Sequence, residues 1–234
     1  MIAPFSEELL KDESVTILHD LEPESDIVLI SFSGVGIGLG VPFFEFKKVV
    51  DPHRIKKIFV RDLYKSWYHA GLKGLAESID ESIPVLKELI ADSGARKVLT
   101  MGNSMGGYAA ILYGILLEAD EVMAFAPTTF ANWKNRLRYL DLRSHYQYLK
   151  NAPVKPYHYY DLRQVPGLEK PIINIYFDTD YWSDRNHARH LARGHDNVRL
   201  HPYHGGKHHM IKKLKDSGEL EKVITTTIER LQNA

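Results

Sequence analysis

A serine set between glycines, Gly102-Asn103-Ser104-Met105-Gly106-Gly107, joins the strand-like stretch 96–101 to the apolar run 108–117. A chain that passes from strand to helix in so few residues forces the residue at the apex into a cramped backbone conformation. Glycines two positions to either side supply the room it needs. The apex side chain then stands clear of the backbone. There a serine hydroxyl, a poor nucleophile by itself, reaches both a base and a substrate carbonyl. The first amides of the following helix have no carbonyl one turn behind them and sit at the positive end of the helix dipole. The Met105 N–H is therefore placed to hold a developing oxyanion.

The surrounding pattern alternates strand and helix. Residues 15–18 read as a short strand near the edge, bounded by charges, and residues 26–32 (Asp-Ile-Val-Leu-Ile-Ser-Phe) as a strand covered on both faces. Residues 55–60, 121–127, 171–177 and 198–203 read as further strands. Helical spacing runs through 77–91, where Pro84 predicts a helix that starts near Ser82 or kinks at the proline. The 108–117 run is apolar nearly all round, as suits a helix packed on a sheet. The alternation predicts an α/β protein with a doubly wound, mostly parallel sheet, and 234 residues suit one domain, 1–234.

Residues 128–169 interrupt that rhythm. Trp133, Leu137 and Leu140, then Leu142, Tyr146 and Leu149, fall at helical spacing and predict one or two short amphipathic helices. Residues 132–165 hold seven basic residues against Asp141 and Asp161, with many aromatics. Trp133, Arg136, Tyr139 and Tyr146 are the substrate-binding candidates here, suited to an anionic or sugar-containing group. The alternative is that these aromatics form the insert's own core and the charges a solvated face.

Strand, glycine-flanked serine and buried helix together resemble the nucleophile elbow of the α/β-hydrolase superfamily. The resemblance implies the α/β-hydrolase fold with a helical lid inserted at 128–169, before the acid-bearing strand. It places the second oxyanion-hole amide in the glycine-rich loop after residue 32, which nominates Gly34 or Val35. No G-x-G-x-x-G frame fits that loop, which argues against a dinucleotide site. The resemblance places the triad acid just after strand 171–177, ahead of the helix opening at His187-Ala188. That spacing favours Asp180, with Asp178 as the alternative and Asp184 read as a helix cap. The triad base falls after the last strand, at His208, with His209 as the alternative, so the chain order is serine, acid, histidine.

Charge and composition narrow the partners. Lys+Arg and Asp+Glu each total 30, so no global field draws nucleic acid or a membrane surface. No cysteine is present, which excludes disulfides, thiolate metal sites and a cysteine nucleophile. The N-terminus lacks the basic start and apolar run of a secretion signal, and no apolar stretch is long enough to span a bilayer; a cytoplasmic location is the default expectation. His201, His204, His208 and His209 have spacings that would suit zinc on a single helix, but Pro202 and the paired glycines oppose a helix, and no metal is expected. The expectation is a carboxylesterase-like serine hydrolase cleaving a small ester or thioester through Ser104, His208 and Asp180, without a cofactor. The alternatives are an acyltransferase or sugar deacetylase on the same residues, or a non-catalytic binding module on the same fold. Oligomeric state is not legible.

Overall fold

The computed structural model describes residues 1–12, 14–35, 44, 46–143, 149 and 157–233. Its centre is one eight-stranded sheet: β1 (Ile2–Pro4), β2 (Ile17–Asp20), β3 (Ile27–Phe32), β4 (Lys56–Val60), β5 (Lys97–Asn103), β6 (Glu121–Phe125), β7 (Ile172–Asp178) and β8 (Val198–Tyr203). The spatial order is β1-β2-β4-β3-β5-β6-β7-β8. Every neighbouring pair is parallel except β2 with β4.

The strands between which the elbow forms are apolar on both faces because both faces are covered. Along β3, Val28, Ile30 and Phe32 point to one core and Ile27 and Leu29 to the other. The first core receives α2 (Ile79–Ser93), α3 (Met105–Leu116) and α5 (Trp182–Ala192). The second receives α1 (Lys47–Val50), α6 (Met210–Asp216) and α7 (Glu219–Gln232). Residues 105–115 of α3 are all buried, so this helix lacks the polar stripe of a surface helix. Among the described residues no helix is long and apolar enough to cross a membrane.

The first predicted strand lies near the edge, as expected, with Ile2–Pro4 paired outside it. One expectation is corrected. α2 begins before Ser82: the Ser78 hydroxyl accepts the Glu81 N–H and caps a helix that continues through Pro84. A good cap outweighs one missing donor near the helix start. The C-terminal helical region is two helices, separated at Ser217 and Gly218, where Gly218 has φ 76°.

The 128–169 insert contains α4 (Trp133–Arg138), capped by Asn132, and two short 3-10 turns at Tyr157–Tyr160 and Leu162–Gln164. Most of the second predicted helix, with Tyr146, lies outside the described residues. Phe130 bridges to Asp161, which closes the insert on itself.

Candidate active site

β5 ends at Asn103 and α3 begins at Met105, leaving Ser104 alone to make the turn, with φ 55° and ψ −112°. A non-glycine residue adopts such angles only where its surroundings impose them. Here the imposition is steric. A Cβ on Gly102 would lie 2.0 Å from the Gly106 carbonyl oxygen, and one on Gly106 would lie 2.2 Å from that of Phe32. The strand, the first helical turn and the end of β3 thus meet backbone to backbone. The Ser104 N–H donates to Phe125 at 2.8 Å, which ties the apex to β6.

The half-buried hydroxyl meets a base. Ser104 Oγ lies 3.0 Å from His208 Nε2, and His208 Nδ1 lies 2.9 and 3.0 Å from the two carboxylate oxygens of Asp184. A carboxylate accepts only, so the imidazole proton sits on Nδ1 and the Nε2 lone pair faces the serine. The Asp184 side chain is 0% exposed and that of His208 29%.

The acid beside His208 is therefore Asp184, and neither Asp180 nor Asp178 occupies that place. Asp180 is largely exposed and pairs with His204 Nδ1 at 3.2 Å and the Gly205 N–H. Asp178 is buried and turned to the backbone: it accepts the N–H groups of Asp180, Gly206 and Lys207. Burial works to raise its pKa, but these amides, with His204 nearby, hold it below the ordinary carboxylate value. The helix that carries the acid starts earlier than His187, at Trp182, which puts Asp184 in its first turn. Asp184, His187, Ala188 and Leu191 then form its buried face.

A second layer stands behind Asp184. Arg143, from the insert, places Nη1 3.6 Å from Asp184 Oδ1 and donates from Nε and Nη2 to Asp141 at 2.8 and 2.7 Å. His187 Nδ1 accepts the Thr129 N–H at 3.0 Å, and its Nε2 lies 2.9 Å from Asp141 Oδ2 and 2.6 Å from Arg143 Nη2. Burial first, then the nearby Arg143 charge, push His187 down to about 4 against the opposing pull of Asp141. It is neutral at physiological pH.

The remaining candidates divide. Met105 N–H opens α3 and has no helical carbonyl behind it. Gly34 and Val35 follow β3 after Ser33, close to the elbow, where the Phe32 carbonyl leaves no room for a Cβ on Gly106. Trp133 is 76% exposed on α4. Arg136 and Tyr139 turn inward: Arg136 Nε donates to the Asp141 carbonyl, and the Tyr139 ring stacks on Phe130. His209 is exposed, its ring 6.2 Å from that of His208. His201 and His204 are engaged separately, with Asn174 and with Thr179 and Asp180.

Strand order, the one antiparallel pair and a serine elbow between β5 and α3 define the α/β-hydrolase fold, and the chain has it. Solved structures agree. A capsule O-acetyltransferase of Neisseria meningitidis serogroup A superposes with a TM-score of 0.66 at 15% identity, over 91% of this chain and 90% of that one. An α/β-hydrolase enzyme from the sediment metagenome of the Mar Chica lagoon in Morocco gives 0.60 at 16% identity, over 92% and 94%. A fluorophosphonate-binding serine hydrolase of Staphylococcus aureus gives 0.58 at 13%, over 97% and 90%. No protein-family model matches the chain, and no curated protein matches it in sequence.

Proposed function

We propose that the protein is a serine enzyme that cleaves small esters or thioesters through Ser104, His208 and Asp184. The observation that carries this reading is the continuous chain from Ser104 Oγ through both ring nitrogens of His208 to a fully buried carboxylate. Ser104 Oγ attacks the acyl carbon while its proton passes to His208 Nε2. The negative oxygen is held by the Met105 amide and one from the Gly34-Val35 segment. His208 returns the proton to the leaving oxygen or sulfur, and the acyl group stays on Ser104. Water then gives a proton to His208 as it attacks the acyl-enzyme, and His208 returns that proton to Ser104 Oγ as the bond to the acyl group breaks and the acid leaves. Asp184 keeps the imidazole in the required tautomer throughout.

A second reading replaces water by an alcohol, so that the acyl group is transferred. The likeness to an O-acetyltransferase, also solved with CoA as a variant, favours it. One experiment separates these readings and a binding-only role. One portion of the native chain and of Ser104→Ala is labelled with a fluorophosphonate probe, and separate untreated portions are assayed with p-nitrophenyl acetate and with acetyl-CoA plus a panel of sugar alcohols. Serine-dependent labelling with release of free acetate supports hydrolysis, and acetylated alcohol as the main product supports transfer. No labelling and no turnover would sink both and leave a binding module.

A further inference from the structure

Asp184, His187 and His190 recur every three residues along α5, and all three are buried. Each meets a charged residue of the 128–169 insert. Asp184 faces Arg143 at 3.6 Å, His187 bonds Asp141 at 2.9 Å, and His190 bonds Asp161 at 2.8 Å. The helix bearing the proposed triad acid is thus the helix on which the insert sits.

Arg143 connects the two. Two of its nitrogens fork onto the Asp141 carboxylate, which fixes the guanidinium plane. Nη1 then points at Asp184, at a distance that is an ion pair and not a hydrogen bond. The Asp184 side chain has no solvent exposure, and that of Arg143 has 17%. A buried negative charge facing only a neutral imidazole is costly, and a cation held beside it offsets that cost. Asp141 in turn is held by His187, whose other nitrogen is fastened by the Thr129 amide.

We infer that Arg143 is a positioning residue for Asp184: it holds the carboxylate turned toward His208, so that the seating of the insert is a condition for an assembled triad. This rests on the serine-enzyme reading for its activity readout alone.

The test compares the native chain with Arg143→Gln, which keeps a polar contact to Asp141 without the charge, and with Arg143→Lys. Two readouts are taken. The first is the low-field Nδ1 proton of His208 in NMR spectra, assigned with Asp184→Asn. The second is kcat and KM on p-nitrophenyl acetate, per site titrated by fluorophosphonate. In Arg143→Gln the proton signal is expected to vanish, and kcat to fall roughly 10- to 100-fold, a fraction of what a buried charge pair is worth, with KM within about twofold. Arg143→Lys is expected to recover both in large part. A merely structural role would lower the number of titratable sites and leave kcat per site and the proton signal unchanged; that result overturns the inference. Failure of the native chain to label would count against the serine-enzyme reading, while the NMR signal still decides the role of Arg143. Should Arg143→Gln fail to fold, Asp141→Asn, which releases the fork, is expected to give the same two losses.

Discussion

Asp178 Oδ2 accepts the backbone N–H of Lys207 at 2.6 Å, and through this bond the end of β7 holds the turn that presents His208. The same oxygen takes the Gly206 N–H, and Lys207 itself has φ 50°, a conformation the grip imposes. Asp178→Ala leaves these amides without an acceptor, and is expected to cost roughly 2–4 kcal/mol in urea denaturation. On p-nitrophenyl acetate kcat should fall more than KM rises. The sign of its pH dependence follows from a depressed carboxyl: the stabilisation is present above 3.8 and is lost as pH falls through the lower folded value. Unchanged stability in the alanine variant would refute the bracing role.

The pairing of His208 with Asp184 makes a discriminating prediction among three nearby aspartates. Asp184→Asn keeps the shape but favours the wrong imidazole tautomer, and kcat is expected to drop about 10³- to 10⁴-fold. Asp180→Asn removes an exposed contact to His204 and should cost less than about threefold. If the two variants changed places in this ranking, the assignment of the acid would be wrong.

That ranking also marks where reading the sequence falls short. The elbow was legible because its glycines answer a steric demand made within five residues, and β3 because six consecutive residues are buried between two helix layers. The family spacing favours Asp180 over Asp184 only when His187-Ala188 is the start of the helix. α5 starts at Trp182, and the 3.6-residue period of Asp184, His187, Ala188 and Leu191 was the available signal. Extending that stripe back one turn puts Asp184 on the buried face. The inward turn of Arg136 and Arg143 is not legible by any local rule, because it depends on how Asp141 is placed and, for Arg143, on Asp184 of α5. Ile2–Pro4 is a strand through its pairing with β2, and a three-residue segment carries too little period to announce itself.

Gly106 has a steric requirement that can be tested without touching the hydroxyl. A methyl there would lie 2.2 Å from the Phe32 carbonyl oxygen and 3.0 Å from the Ser33 carbonyl carbon, both backbone atoms. Gly106→Ala is expected to destabilise by at least about 2 kcal/mol and to slow fluorophosphonate labelling of the protein that folds. Native stability and labelling rate in this variant would contradict the close approach of β3 to the elbow.

His187 and Asp62 set opposite pH dependences in one window. Burial pushes His187 from 6.5 down to about 4, so its folded form resists the proton that the unfolded form takes. Its contribution to stability is fully present above 6.5 and is lost as pH falls toward 4, on the order of 3 kcal/mol. Burial pushes Asp62 up from 3.8 to about 6, even though the amides of Tyr68, Ser66 and Tyr64 donate to it. Its folded form keeps a proton that the unfolded form gives up, so stability falls as pH rises from 3.8 to 6. The two slopes offset each other in the native chain. Asp62→Asn removes one of them and leaves the other in place, although the lost amide contacts lower stability by a constant amount. Unfolding free energies of native and variant, measured in urea at pH 4.5 and 6.5, should show the variant recovering relative to native by about 2 kcal/mol at the higher pH. A difference that stays constant between the two pH values would mean that Asp62 titrates at its ordinary value in the folded chain.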